Sequence, residues 1–268
     1  MRLTRWVVLM VLIAPPAARA ADPCVELRRG VAELKPDDSF QATSELFAAA
    51  RLGCEREAGA ILGRGVAVDA RDREGMTALA RAARAGKVRV MQLLVESGAN
   101  VDARSINGST PLYYAAEADR AAAVQLLLDH GADPNIPGRS GERPLAAAAY
   151  NGSAETVALL LKHGADPNAL DDDGKGAMVY AAGRACAPIA ALLLAAGVDV
   201  NRRYGHGLTA LMWAAGHDAS AGSEDVEATL KVLLDHGAER DVRDDRGLTA
   251  ADIARKLGHE REAKMLGG

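Results

Sequence analysis

The sequence repeats with a period of 33 residues, and this period restricts the chain to folds that stack short units. Two series of glycines carry the repeat. The first series consists of Gly75, Gly108, Gly141, Gly174 and Gly207, followed after a single 40-residue step by Gly247. The second series consists of Gly65, Gly98, Gly131, Gly164 and Gly197, followed after the same step by Gly237. A fixed period of this length indicates an array in which each unit contacts only its neighbours.

The pattern within one period predicts two helices. Thr110 and Pro111 are typical of a helix start, because the hydroxyl can cap free amides and the proline fixes a helical φ. Apolar residues then recur at helical spacing, and Gly131 ends the second helix, where a left-handed residue is needed. The chain has only nine aromatic residues but many Ala-Ala pairs. Helices that approach closely and bury their faces by stacking account for this composition.

The segment STPLYYAAEADRAAAVQLLLDHGADPN is followed by the related ERPLAAAAYNGSAETVALLLKHGADPN. With the 33-residue period, these segments resemble the ankyrin repeat, a turn followed by two antiparallel helices. The resemblance implies an all-α solenoid of helix-turn-helix units with short β-turn or hairpin tips. The expected array spans residues 39–268, with units at 39–71, 72–104, 105–137, 138–170, 171–203 and 204–243 and a truncated cap at 244–268.

The units depart from the family's Thr-Pro-Leu-His pattern in several places. The histidine is replaced in every unit, and the residues in its place are Ala80, Tyr113, Ala146, Val179 and Met212. Two units also lose the capping threonine, to Arg143 and Gly176, so we expect these two units to be the weakest of the array. The longer unit carries an insertion at about 218–224, interpreted as either a solvent loop or an extra contact finger.

Residues 1–20 have the layout of a signal peptide. Arg2 and Arg5 precede a short apolar stretch, and small residues lead to an expected cleavage site before Ala21. The apolar stretch is about half the roughly 20 residues that a membrane span needs. We therefore expect a periplasmic protein, or alternatively a secreted one, without membrane insertion. Residues 21–38 are predicted to form a helix that caps the first unit.

Three cysteines are present, and their spacing limits how they can pair. Cys54 and Cys186 are four periods apart, which corresponds to about 40 Å in a stacked array. A disulfide allows only about 7 Å between Cα atoms. Cys24, in the amino-terminal helix, is the only plausible mate for Cys54. We predict a Cys24–Cys54 disulfide, and the alternative is that all three cysteines are buried or reduced thiols.

Sequence motifs give little support for an enzyme. Asp171, Asp172 and Asp173 lack the spacing and the later glutamate of a calcium loop. His130 and His163, which precede second-series glycines, lie one unit apart, too far for a shared metal ion. Neither a nucleophile elbow nor a phosphate-binding loop is present, so we expect no catalytic residues, no cofactor and no metal. The formal net charge of −4 also argues against nucleic-acid binding.

The resemblance implies that a protein partner binds to the turn tips and to the concave face of the first helices. The predicted tip residues are Arg73, Glu74, Met76, Ile106, Asn107, Ser109, Arg139, Glu142, Asp172, Asp173, His206 and Leu208. The predicted residues at the concave ends of the first helices are Arg84, Glu117, Tyr150, Asn151, Arg184 and His217. Tyr150 and Arg84 are the expected hot spots, since tyrosine and arginine dominate such sites. Tyr114, Tyr180 and Trp213 are expected to lie in the core.

Three functions fit these features. The first is a monomeric periplasmic scaffold or adaptor that binds another exported protein. The second is an inhibitor or immunity-type protein that masks an exported enzyme. The third is an enzyme or metal protein whose site has no recognisable motif. The first two need only a concave binding face, so the sequence favours both over the third and does not separate them.

Overall fold

The computed structural model describes residues 22–35, 38–217 and 222–267. Within these ranges the chain forms fifteen α-helices and no β-strand, and one isolated bridge pairs Leu170 with Gly176. This confirms the prediction of an all-helical fold. The expected signal peptide, its cleavage site at Ala21 and residues 218–221 of the insertion lie outside the described residues.

The helices form two layers joined by short turns. The first helices of the units are α2 (Ser39–Leu52), α4 (Ala78–Ala85), α6 (Pro111–Glu117), α8 (Pro144–Tyr150), α10 (Ala177–Gly183), α12 (Ala210–Ala215) and α14 (Ala250–Leu257). The second helices are α3 (Glu55–Leu62), α5 (Val88–Glu96), α7 (Ala121–Asp129), α9 (Ala154–Lys162), α11 (Ala187–Ala195), α13 (Ser223–Asp235) and α15 (Glu260–Met265). Each first helix packs against its own second helix and against the adjacent first helices of the array.

Stacking of the units builds one continuous core. Leu112 of α6 and Leu127 of α7 are completely buried, and so are Ala115 and Ala116 on the face of α6. Because alanine side chains are short, adjacent first helices approach closely. Each fully buried leucine contributes about 1.5–3 kcal/mol, and no single unit could bury both of its faces alone.

The tips are β-turns that contact one another along the array. In the fourth unit, the amide of Gly138 donates to the carbonyl of Glu142 at 2.8 Å, and the turn between them is the 3₁₀ segment Arg139–Gly141. The next tip joins it through a hydrogen bond from the amide of Asp172 to the carbonyl of Ser140. At the tip of the second unit, Gly75 has φ +72°, and a Cβ there would lie 2.8 Å from the Ile106 amide nitrogen. The tips therefore form a continuous ridge beside the first helices.

The helix caps follow the sequence pattern. Thr110 has extended backbone geometry, and its hydroxyl accepts from the amide of Tyr113, as predicted. Arg143 and Gly176 provide no side-chain cap to α8 and α10. The guanidinium of Arg143 instead donates to the carbonyls of Asn135 and Leu170. Arg143 thus ties the fourth unit to the turn that leads into the fifth.

The two ends of the array differ from its centre. Helix α1 (Cys24–Glu33) packs against α2 and α3 and covers the first unit with Leu27 and Val31. The carboxy-terminal part of the predicted insertion is helical, because α13 already begins at Ser223 and has 13 residues against nine in α9. Residues 223 and 224 thus extend a helix. Of the helices described, none is both long enough and apolar enough to cross a membrane.

Candidate functional site

A groove of about 300 Å³ lies between the tip of the fourth unit and the first helices α6, α8 and α10. Its lining, here called the central groove, consists of Tyr113, Glu117, Arg139, Glu142, Ala147, Tyr150, Asn151 and Tyr180. Five of these were predicted as partner-binding residues: Glu117, Arg139, Glu142, Tyr150 and Asn151. The groove therefore brings together residues that are up to 67 positions apart in the sequence.

Glu142 lies at the floor of the central groove and is half-buried. The hydroxyl of Tyr113 donates to its Oε2 at 2.7 Å. Gly138 makes this contact possible, because a Cβ at that position would lie 2.7 Å from the Tyr113 ring. Burial raises the pKa of the Glu142 carboxyl above its usual value, although the Tyr113 hydrogen bond and the charge of Arg139 act in the opposite direction. The groove therefore holds a carboxylate whose charge is only partly compensated.

The rim of the central groove is held by polar contacts between units. Arg139 lies 3.5 Å from the Glu117 carboxylate, so the tip of the fourth unit is paired with the end of α6. The side-chain amide of Asn151 donates to the carbonyls of Glu117 and Ala147 at 2.8 and 3.0 Å. These bonds fix the spacing of adjacent units without help from a ligand.

Aromatic rings form the opposite wall. Tyr150 is 49% exposed and meets Tyr180 edge to face, with ring centroids 5.8 Å apart. The Arg184 guanidinium lies 5.2 Å from the centre of the Tyr150 ring. The Tyr180 hydroxyl donates to Asp171 at 2.5 Å, and burial together with this carboxylate raises the pKa of Tyr180. The wall is therefore an ordered aromatic surface with an arginine on one side.

Tyr113, Tyr180 and Asp171 also build the site, although none was predicted as a binding residue. The core prediction is correct for Tyr114, which is 5% exposed. Tyr180 and Trp213 are partly buried and pack against the core, and Tyr180 in addition lines the central groove. At the position equivalent to Tyr180, the neighbouring unit carries the short Ala147, so the Tyr180 ring has room to lie across the groove. The sequence did contain one indication of this site: Tyr113 occupies the position where the family pattern has histidine.

Two predicted tip residues are not at the surface. Met76 and Ser109 are fully buried, so their assignment to the binding surface is wrong. Met76 belongs to a small core cluster with Ala80, Tyr113 and Tyr114, directly beneath the tips. The residue just before a helix-capping threonine therefore points inward here, because it covers the start of the stacked helices.

The remaining amino-terminal predictions are exposed, and they do not line the central groove. Arg73 and Glu74 are exposed at the second-unit tip, and Ile106 is 79% exposed. Arg84 is exposed, with its guanidinium 5.9 Å from the centre of the Tyr114 ring. Asn107 is exposed, but its side-chain oxygen already accepts hydrogen bonds from the Ser105 hydroxyl and from the backbone amide of residue 109.

The carboxy-terminal predictions fall into two groups. Asp172, Asp173, Arg184 and His206 are exposed. Leu208 and His217 are only half-exposed. Leu208 lines a second, apolar groove of about 280 Å³ together with Trp213. The His217 ring stacks on His259 with centroids 4.1 Å apart.

The predicted cysteine pair lies at the amino-terminal end, away from the central groove. The sulfur atoms of Cys24 and Cys54 are 2.02 Å apart, which is bonding distance, and their Cα atoms are 5.6 Å apart. Cys186 is free and half-buried. In the described part of the chain, the one group of three potential metal ligands is Cys24, Cys54 and Glu57. The two sulfur atoms are bonded to each other, and the Glu57 carboxylate is paired with Arg28 at 2.8 Å.

Glu142 should make stability depend on pH. Its folded-state pKa is raised, so the folded chain binds more protons than the unfolded chain between the two pKa values. The free energy of unfolding should therefore fall as pH rises through this window, because the carboxyl loses its proton more readily in the unfolded chain. We expect Glu142→Gln to gain stability relative to the wild type between about pH 4 and about pH 7. Urea unfolding of both proteins at both pH values checks this, and a constant difference between them would contradict it.

Comparisons with known proteins agree with the observed architecture. The sequence matches the family described as "Ankyrin repeats (3 copies)" over residues 46–138 and 135–204, and the single "Ankyrin repeat" over 206–245. The fold is similar to the crystal structure of the human ASB11 ankyrin repeat domain, with a TM-score of 0.72 and 26% identity. That alignment covers 83% of this chain and 97% of the other. No curated protein sequence matches. Since the family matches cover more than half of its residues, the chain belongs to the ankyrin-repeat family.

Proposed function

We propose that this chain is an exported protein-binding module, a periplasmic scaffold or adaptor that holds another exported protein in the central groove. Ankyrin repeats generally mediate protein–protein interaction, and no enzymatic family matches the chain. The observation that carries the proposal is the groove itself. It collects residues from three consecutive units around the exposed ring of Tyr150.

The composition of the groove supports a protein ligand. Interfaces combine a partly apolar centre with a polar rim, and tyrosine and arginine are enriched where binding energy concentrates. Here Tyr150 is the exposed aromatic centre, with Arg139, Asn151 and Arg184 around it. Because Arg139 and Asn151 already have partners within the array, the surface is ordered before binding, which reduces the entropy lost on association.

The proposal of export rests on two features of the amino-terminal region. Residues 1–20 have the sequence pattern of a signal peptide. Cys24 and Cys54 are placed at bonding distance, and stable disulfides belong to oxidising compartments. Export is tested by mass spectrometry of the chain expressed in bacteria. A periplasmic product that begins at Ala21 supports the proposal, and a cytosolic product that retains residues 1–20 contradicts it.

Partner binding is tested by photocrosslinking in the exporting cell. A photoreactive phenylalanine derivative is placed at position 150 in the groove or, as a control, at position 162 on α9. Lys162 is exposed on the outer layer. We expect a crosslinked protein from position 150 that is absent from position 162. Crosslinks at position 162 alone, or at neither position, would contradict binding in the groove. The identity of the captured protein then separates a scaffold from an inhibitor of an exported enzyme.

A further inference from the structure

We propose that the central groove receives an arginine side chain of the partner, with the Glu142 carboxylate as its counter-ion. This inference rests on the proposed protein-binding function and names the chemistry that the groove selects. Three observations carry it: the unused hydrogen-bonding atoms of the groove, its balance of charge, and the orientation of its aromatic rings.

Two acceptor oxygens of the groove have no donor partner among the described residues. The Tyr113 hydroxyl already donates to Glu142, and the Asn151 amide donates to two backbone carbonyls. The Tyr180 hydroxyl donates to Asp171. Among the described residues, nothing donates to Oε1 of Glu142 or to the side-chain oxygen of Asn151. A group with several N–H donors and no acceptor therefore complements these two oxygens, and guanidinium is such a group.

The charges of the groove leave one carboxylate in excess. The lining contains two carboxylates, those of Glu117 and Glu142, and one guanidinium group, that of Arg139. Arg139 is paired with Glu117 at 3.5 Å, and Arg184 lies over Tyr150. Burial raises the pKa of Glu142, which means that its charge lacks full compensation in the free protein. One additional cation would balance the groove.

The rings favour guanidinium over ammonium. Guanidinium is planar, binds a carboxylate with two parallel N–H groups and stacks on aromatic faces. This array already places an arginine guanidinium over a tyrosine ring three times, with distances to the ring centre of 5.2 Å for Arg184 and Tyr150, 5.9 Å for Arg84 and Tyr114, and 5.5 Å for Arg202 and Tyr204. Tyr150 remains 49% exposed despite Arg184, so part of its surface is available to a partner.

The test uses small probes, so it does not depend on knowing the partner. The full mature chain is titrated at low salt with N-acetyl-arginine amide, with N-acetyl-citrulline amide and with N-acetyl-glutamate amide. Citrulline has nearly the shape of arginine but no charge. Binding is followed through the NMR signals of the Asn151 side-chain amide and the Tyr150 ring. Glu142→Gln is compared with Glu155→Gln, a change of the same chemistry at an exposed position of α9.

We expect saturable shifts with the arginine probe and binding at least about tenfold weaker with the citrulline probe, since hydrogen bonds between charged groups are the stronger ones. Glu142→Gln should weaken arginine binding by a similar factor, while Glu155→Gln should not. Circular dichroism and urea unfolding of Glu142→Gln and Glu155→Gln show whether both variants fold like the wild type, so a folding defect cannot decide the result.

Three results would overturn the inference: no saturable shift with arginine, equal binding of the citrulline or glutamate probe, or unchanged arginine binding in Glu142→Gln. The proposed function fails separately, through the photocrosslinking experiment. A chain that crosslinks a partner at position 150 but ignores the arginine probe binds proteins by different chemistry. A chain that binds the probe but crosslinks nothing has a cation site without the proposed partner.

Discussion

Replacing Cys24 by Ser should lower the free energy of unfolding of the amino-terminal unit by about 3–4 kcal/mol, because the bridge to Cys54 closes a 30-residue loop. The bridge holds α1 against α2 and α3, where Leu27 and Val31 are buried. Since each unit of an array contacts only its neighbours, the loss should stay local. Residues 39–62 should loosen before the central units do.

Hydrogen exchange measures this effect unit by unit. In Cys24→Ser, amides of α2 and α3 should exchange faster, and amides of α8 and α9 should keep their wild-type rates. Cys186→Ser is the matched control, because Cys186 is free and lies four units away from Cys54 in the sequence. Two free thiols at positions 24 and 54 in the exported wild type, or uniform loosening of the whole array, would contradict this account.

Truncating Tyr150 to Ala should weaken partner binding by more than about tenfold, which corresponds to at least about 1.4 kcal/mol. The ring is the most exposed aromatic of the central groove, and it orders both Tyr180 and Arg184. Removing the ring takes away the aromatic surface that a partner would contact, and it also removes the packing that holds Tyr180 and Arg184 in place. Stability should change little, because the side chain is 49% exposed and contributes little to the stacked core.

Isothermal calorimetry with the crosslinked partner gives the affinity, and circular dichroism verifies the fold. Arg84→Ala should also weaken binding, by more than about 1 kcal/mol if the partner reaches the second unit. Lys162→Ala, on the outer layer, should bind like the wild type. Equal affinities for Tyr150→Ala and wild type would remove Tyr150 from the interface.

The fold followed from the sequence because its periodic residues have single physical roles. Thr110 caps α6 and Gly131 follows the end of α7 at φ +82°, as their positions in the repeat predict. Leu112 and Leu127 recur at helical spacing and are buried. These roles depend on neighbours within one or two units, so a single sequence contains the necessary information.

The site was predictable only in part, because surface positions depend on what the next unit carries. Glu117, Tyr150 and Asn151 could be placed on the binding face from their position in the repeat. The full burial of Met76 could not, since the equivalent residues Glu142 and Leu208 of other units are only half-buried. Tyr180 lies in the groove because Ala147 is short, and its bond to Asp171 depends on the turn geometry. Such side-chain pairings leave no periodic signal.

The central claim is that a partner occupies the groove between the tips and the first helices. Hydrogen exchange of the complex against the free chain tests it most directly, because it reports every unit at once. The account predicts slower exchange at the tips around residues 138–142 and 171–175, with α7 and α9 unchanged. Protection confined to α7, α9 and α11, with unchanged tips, would place the partner on the outer layer and contradict the account.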